Sequence, residues 1–377
     1  MKKALINATV FDGEQILSHH SVLIENNLIT AVQASDLPLP NVDEVIDLSG
    51  SYLTSGFIDL QVNGGGGMLF NENPTIECIQ CMTQAHRKYG TTALLPTLIT
   101  DDYPVMSKAI DAVKTAIANN LSSVLGIHLE GPFLNVQKKG AHDSKKIKTV
   151  DAEGIAMLTQ ASKGITIATI APETFLPSQI SMLKEQGVII CAGHSAANYE
   201  QTKVALQAGV TGFTHLFNAM TPFQSRDPGM VGAALEDENS WFGIIADGHH
   251  VHPASLNVAI KAKKRGKAIL VTDAMPTVGS TNASFTLNGE EIFVKDGKCI
   301  NAAGSLAGSD LNMISAIKNT SLFTGLHWTE AVRMATVYPA RAIGMENKLG
   351  FIKKGYIANL VALSPNFDVE QTWVAGC

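Results

Sequence analysis

The chain reads as an α/β protein, a (β/α)8 barrel of the TIM type that carries a small β-sandwich domain built from both chain termini. Three observations predict it. Eight apolar or β-rich runs recur between residues 56 and 275, with helix-like segments in most of the gaps. The runs are close to continuously apolar, which suits parallel strands buried on both faces. Polar residues stand at the C-terminal ends of five runs (Gln61 and Asn63, Glu130, His194, His215, Asp273). A barrel gathers such ends around one mouth, whereas a doubly wound open sheet would spread them along a crevice.

Residues 1–50 form the N-terminal part of the small domain. Lys3–Val10, Ser21–Glu25 and Leu28–Val32 are short alternating runs, separated by Asp12-Gly13 and Asn26-Asn27, which are hairpin signals. Residues 51–345 form the barrel. Its strands are sought in Gly56–Gly64, Ala93–Thr100, Val124–Pro132, Ile165–Glu173, Val188–Ser195, Gly212–Met220, Trp241–Val251 and Ala268–Met275. Ile76–Tyr89, Tyr103–Asn119 and Glu200–Ala208 read as intervening helices. Thr277–Ile300 reads as a β-hairpin turning at Asn288-Gly289 and Asp296-Gly297, and helices from about Ser309 and over Glu330–Ile343 close the barrel. Residues 346–377 return to the small domain through Leu349–Ile352, Asn359–Leu363 and Thr372–Ala375, with a short last strand expected.

Composition narrows the function. Apolar residues make up 45% and charged residues 16%, enough apolar surface for a large core in a chain of 377 residues. The formal charge, 28 − 34 = −6, argues against a nucleic-acid binder, which needs a basic face. A local cationic pocket for an anionic small molecule is still compatible with it. No leader peptide is expected at Met1-Lys2-Lys3, because no long apolar region follows. No run reaches the ~18 apolar residues of a membrane span. Cys78, Cys81, Cys191, Cys299 and Cys377 are odd in number and scattered, a usage that fits a reducing cytoplasm. Cys78 and Cys81 form a C-x-x-C, but no second pair completes a zinc site, so they read as two residues of a helix.

Glu130, His194 and His215 are the best metal ligands. Each follows a β-rich run, with small residues beside it in Glu130-Gly131-Pro132 and Gly193-His194-Ser195. Two imidazoles and a carboxylate plus one water make an open catalytic zinc site; iron, cobalt and manganese accept the same donors. Any one of the three alone would more simply be a satisfied buried residue, but coincidence of three at matching depth is much less economical. Asp273, after the eighth run, is placed to shuttle a proton for the metal-activated water. Without the histidines it would read as a helix cap.

Several segments now carry a resemblance. Asp47-Leu48-Ser49-Gly50 and Ser55-Gly56-Phe57-Ile58-Asp59-Leu60-Gln61-Val62-Asn63-Gly64 resemble the opening of cyclic amidohydrolases. His128-Leu129-Glu130-Gly131-Pro132-Phe133, Lys139-Gly140-Ala141-His142, Ala192-Gly193-His194-Ser195 and Thr214-His215-Leu216-Phe217-Asn218-Ala219-Met220 are similar to the N-acetylglucosamine-6-phosphate deacetylase family. So are Ile245-Ala246-Asp247-Gly248 with His250, Thr272-Asp273-Ala274, Leu306-Ala307-Gly308-Ser309 and Tyr338-Pro339-Ala340-Arg341-Ala342-Ile343-Gly344. The resemblance runs from about residue 4 to the end.

The resemblance implies hydrolysis of N-acetyl-D-glucosamine 6-phosphate to glucosamine 6-phosphate and acetate, in a homodimer. It implies that Ala141, Asn218, Ala219, Arg226, His250, Leu306, Ala307 and Gly308 surround the sugar phosphate and that His142 lies near the acetamido group. Arg226 is implied at a subunit boundary, where it can serve its own or the neighbouring site. On residue chemistry alone Arg226 reads as a solvated loop residue beside Asp227, and His249, His250 and His252 do not suggest a second metal. Gln61-x-Asn63 stands where many amidohydrolases have His-x-His. Amides ligate zinc poorly, so one divalent ion is expected, zinc first, with Gln61 and Asn63 supporting the site or marking a vestigial one. A dihydroorotase- or deaminase-like activity is the alternative, although those enzymes generally need the histidine pair. A non-catalytic scaffold would have lost ligands that are present here.

Overall fold

In the computed structural model, which describes residues 1–160 and 164–377, eight parallel strands form the predicted barrel. They are Phe57–Val62, Thr91–Ile99, Gly126–Glu130, Ile165–Ile170, Ile189–Ala192, Gly212–Phe213, Trp241–Ile244 and Ala268–Leu270, each paired with the next in chain order. The barrel closes just beyond the ends of the eighth and first strands. There the Asp273 N–H donates to the Gln61 carbonyl at 2.9 Å, and the Asn63 and Gly64 N–H groups donate to the Ala274 carbonyl. Every described residue of the first, second and third strands is buried, which explains why the runs lacked polar alternation.

The strands are shorter than the runs that predicted them, and the difference is physical. Each run continues past the last ladder bond into the mouth, where the backbone turns. His194, His215 and Asp273 lie just past their strands with φ of 48°, 32° and 53°, a left-handed conformation that non-glycine residues rarely adopt. Such strain persists where the surroundings over-determine it, commonly at functional sites. Gly131, after Glu130, has φ of 99°, and a Cβ there would meet Thr100 Oγ1 at 2.2 Å; only glycine lets the chain turn so close to the second strand.

The helices begin and end for local reasons. In Ile76–Arg87 the Thr75 hydroxyl caps the Cys78 N–H, and Cys78, Ile79, Met82 and Ala85 form its buried face. Asn198 and Gln201 form a reciprocal capping box at the start of Tyr199–Ala208, and Gly209 ends it. The helix expected over Glu330–Ile343 is two, Trp328–Ala335 and Val337–Ala342, because Thr336 leaves helical geometry at φ −134°, ψ −77°. That break puts Pro339 in a first turn, where its missing N–H costs nothing.

Both termini share one seven-stranded sheet, ordered Val369–Trp373, Leu360–Leu363, Tyr52–Ser55, Lys2–Phe11, Ile16–Glu25, Leu28–Ala34, with Glu44–Asp47 also on Lys2–Phe11. Leu5, Val22, Ile24, Leu53, Leu360 and Trp373 fill its own core. Leu349–Ile352, expected as a strand, is buried irregular chain. The hairpin after the eighth strand grows into a four-stranded antiparallel sheet of Ser284–Leu287, Glu290–Lys295, Lys298–Ile300 and Leu306–Ser309. Leu287, Ile292 and Ala307 pack with Ile99 and Met275 in a small cluster that walls the mouth. Among the described residues, no helix is long and apolar enough to cross a membrane.

Candidate active site

The barrel mouth opens on a cavity lined by the ends of several barrel strands and their loops. At its floor Glu130 Oε1 lies 3.1 Å from His194 Nε2 and 3.0 Å from His215 Nε2, and the two Nε2 atoms are 2.9 Å apart. These three buried groups are the set among the described residues that could hold a metal ion. His194 Nδ1 faces the Lys138 carbonyl at 2.8 Å. Its proton therefore sits on Nδ1, and Nε2 presents a lone pair, the arrangement that orients a ligating imidazole. Three lone-pair donors converging on one point repel one another unless a cation lies among them, so the residues present fit a divalent ion.

Asp273 lies beside this set. Burial, then the Glu130 charge, pushes its carboxyl up to about 6, against His215, His250 and Asn63, which lower it. Asn63 Nδ2 donates to Asp273 Oδ1 at 2.6 Å, and Gln61 Nε2 donates to Asp273 Oδ1 at 3.2 Å and to Glu130 Oε2 at 3.1 Å. The two amides therefore hold the carboxylates by donating their N–H groups.

His142 is buried and kept neutral, its pKa lowered by burial and then by His194. The Thr100 N–H and hydroxyl meet its Nδ1 at 3.2 and 2.8 Å. An N–H can only donate, so Nδ1 is the acceptor and the Nε2 of a neutral ring carries the proton. His250 is held by Asp247, whose Oδ2 takes the ring Nδ1 at 2.6 Å while Oδ1 accepts the N–H groups of His249 and His250.

Of the residues singled out in the sequence, Asn63, Glu130, Ala141, His142, His194, His215, Asn218, Ala219, His250, Asp273, Leu306 and Gly308 line this one cavity. Gln61 lies beneath it, in contact with both carboxylates. Ala307 is buried and faces the adjoining space behind Ala141 and Leu306. Arg226 does not join them: it lies on the exposed Pro222–Asp227 loop, outside the cavity of its own chain.

Sequence reading missed two kinds of residue. Ile99, Ile245, Met275 and Leu287 form apolar walls, and nothing marks an apolar residue as a wall before the fold is known. Thr100, Asp247 and Glu173 orient others. Glu173 accepts from Asn135 Nδ2, the Ser195 hydroxyl and the Ala196 N–H, bracing the turn that carries His194. Its place at the end of the fourth run was the available signal.

Comparison with known proteins adds a second line of evidence. Residues 52–377 match the family model described as the amidohydrolase family, and residues 4–53 match the NagA composite domain. The chain is 44% identical to the N-acetylgalactosamine-6-phosphate deacetylase of Shewanella sp. (strain ANA-3), covering 97% of this chain and 95% of that protein. It is 38% identical to the N-acetylglucosamine-6-phosphate deacetylase of Haemophilus influenzae, covering 100% and 99%. The crystal structure of N-acetylglucosamine-6-phosphate deacetylase from Pasteurella multocida superposes with a TM-score of 0.96 at 37% identity, over 100% of this chain and 99% of that one. A mutant of the Mycobacterium smegmatis enzyme in complex with N-acetyl-D-glucosamine-6-phosphate does so with a TM-score of 0.91 at 30% identity, over 100% and 98%.

Proposed function

The chain belongs to the amidohydrolase family, among its hexosamine-6-phosphate deacetylases, and from that premise we propose that it hydrolyses N-acetyl-D-glucosamine 6-phosphate to D-glucosamine 6-phosphate and acetate in amino-sugar catabolism. The observation that carries this reading is the convergence of Glu130, His194, His215 and Asp273 at one end of a cavity whose wall also holds His142 and His250.

A divalent ion held by Glu130, His194 and His215 supplies Lewis acidity toward the acetamide carbonyl and lowers the pKa of water. One ion per chain, zinc first, fits this donor set, since amides such as Gln61 and Asn63 ligate zinc poorly beside imidazole. Asp273 accepts the proton of the attacking water and returns it to the amine, which leaves poorly until protonated. The Nε2–H of neutral His142 donates to the substrate amide and orients it. His250, positioned by Asp247, takes the phosphate with the help of Asn218 and Ala219.

Arg226 completes the phosphate site from a second copy of the chain. Its loop is outside its own cavity, and beside it Phe223 and Val258, 63% and 61% exposed, form an apolar groove with Phe217 and Leu235. A homodimer that buries that groove would place the Arg226 loop at the subunit boundary.

The 44% identity to a protein named for the galacto substrate favours a second reading, N-acetyl-D-galactosamine 6-phosphate. The two sugars differ only in the configuration at C4. Acetate release from both, measured as kcat/KM on protein whose metal content is known, decides between them. A ratio favouring the galacto epimer replaces the first reading, and no release from either overturns both.

A further inference from the structure

The first barrel strand carries Asp59 and Gln61, and Asn63 follows its last residue. All three reach the turn that carries Asp273, where the barrel closes. Asp59, fully buried, accepts the Thr272 hydroxyl at 2.6 Å and the Gln61 and Thr272 N–H groups at 3.2 and 3.3 Å. Gln61 and Asn63 both donate to one oxygen of Asp273, Oδ1. Among the described residues nothing donates to Oδ2, although the residue lines the cavity. The Asn63 amide is expensive to keep. Its own Oδ1 is buried without a partner, a cost an apolar side chain would avoid. Its hydrogen bond to Asp273 is what it gains in return.

From this arrangement we propose that Gln61 and Asn63 are positioning residues that saturate Oδ1 of Asp273, so that Oδ2 is the atom that takes the proton from water and gives it to the leaving amine. The proton passes through this one oxygen on the way from water to the amine, and Oδ1, with two N–H donors already on it, is not protonated at either step. The amides act on the reaction only through the orientation of this carboxylate. The inference rests on the reading of Asp273 as the acid–base group.

The test is a double-mutant cycle of Asn63→Leu and Asp273→Asn, with kcat, KM, metal content and melting temperature measured for each protein. Asn63→Leu should lower kcat by roughly ten- to a hundred-fold, part of the ~10²–10⁴ that a positioned acid–base group is worth. KM and metal content should hold, and the melting temperature should hold or rise, because a buried unpaired acceptor has been removed. On the Asp273→Asn background, the same substitution should cost nothing further. Undiminished kcat, a loss confined to KM or traced to missing metal, or an equal further loss on the Asp273→Asn background would each overturn the positioning role while leaving the Asp273 reading intact. A normal kcat in Asp273→Asn itself overturns that reading and the proposal with it. Gln61→Met gives a second reading of the same cycle should Asn63→Leu fail to fold.

Discussion

The two ends of the cavity are built differently. The metal end comes from strand ends of one chain: Glu130 closes its strand, and His194 and His215, both buried, and Asp273, half-buried, follow theirs by two or three residues. The phosphate end comes from loops: His250 is oriented by an Asp247 turn, Asn218 and Ala219 follow the sixth strand, and Arg226 lies outside altogether. The metal end is thus set within one barrel, whereas the other end, on the function proposed above, is left to loops that a second copy completes. Strand ends are set by the closure of the barrel and tolerate little displacement, while loops vary without cost to the core.

The largest expected effect breaks the metal end. Asp273→Asn should keep the fold and the metal and lower kcat by at least ~10²-fold, the scale of general acid–base catalysis. His142→Asn, measured alongside it, should cost less, because that ring orients and does not shuttle. Steady-state rates on both variants with metal content checked would settle the order; a fully metallated Asp273→Asn protein at near-normal kcat would refute it.

A smaller effect is expected at the phosphate end. Arg226→Ala should raise KM for the phosphorylated sugar by on the order of tenfold or more, since a charge-assisted contact is worth about 1.5–3 kcal/mol, and leave kcat nearly unchanged. Mixing Arg226→Ala with Asp273→Asn should restore part of the activity if the arginine serves the neighbouring mouth, because one site per mixed dimer then has both groups intact. No recovery on mixing, in a preparation shown to exchange subunits, would return Arg226 to its own chain.

The smallest effect concerns the floor of the metal end. Burial pushes the Asp59 carboxyl up from its ordinary 3.8 to about 7, against opposing hydrogen bonds from Thr272 and Gln61. A folded pKa above the unfolded one means that this group's contribution to stability is complete below the unfolded value and is lost as pH rises through the folded one. Asp59→Asn, which cannot ionise, should therefore gain stability relative to the parent as pH rises from about 4 to about 7. Denaturant unfolding at both ends of that range checks it, and a constant difference would show that Asp59 does not titrate in the fold.

The barrel was legible because buried parallel strands leave near-continuous apolar runs, and the candidate ligand triad because three such donors follow three runs at matching depth. The hairpin turned where Asn288-Gly289 and Asp296-Gly297 said it would. Local chemistry of this kind is written in residue type and spacing, and so the sequence by itself determined the fold class, the metal end and the kind of reaction it serves. It did not determine where the strands stop, since a run continues in sequence after its ladder ends in space. It did not reveal that the amides of Gln61 and Asn63 turn to Asp273, that Thr100 sets the tautomer of His142, or that Arg226 stands apart from His250. Those are contacts between residues tens to hundreds of positions apart, decided only when the eighth strand meets the first, because a hydrogen bond depends on where two groups lie in space and that placement is a property of the closed barrel.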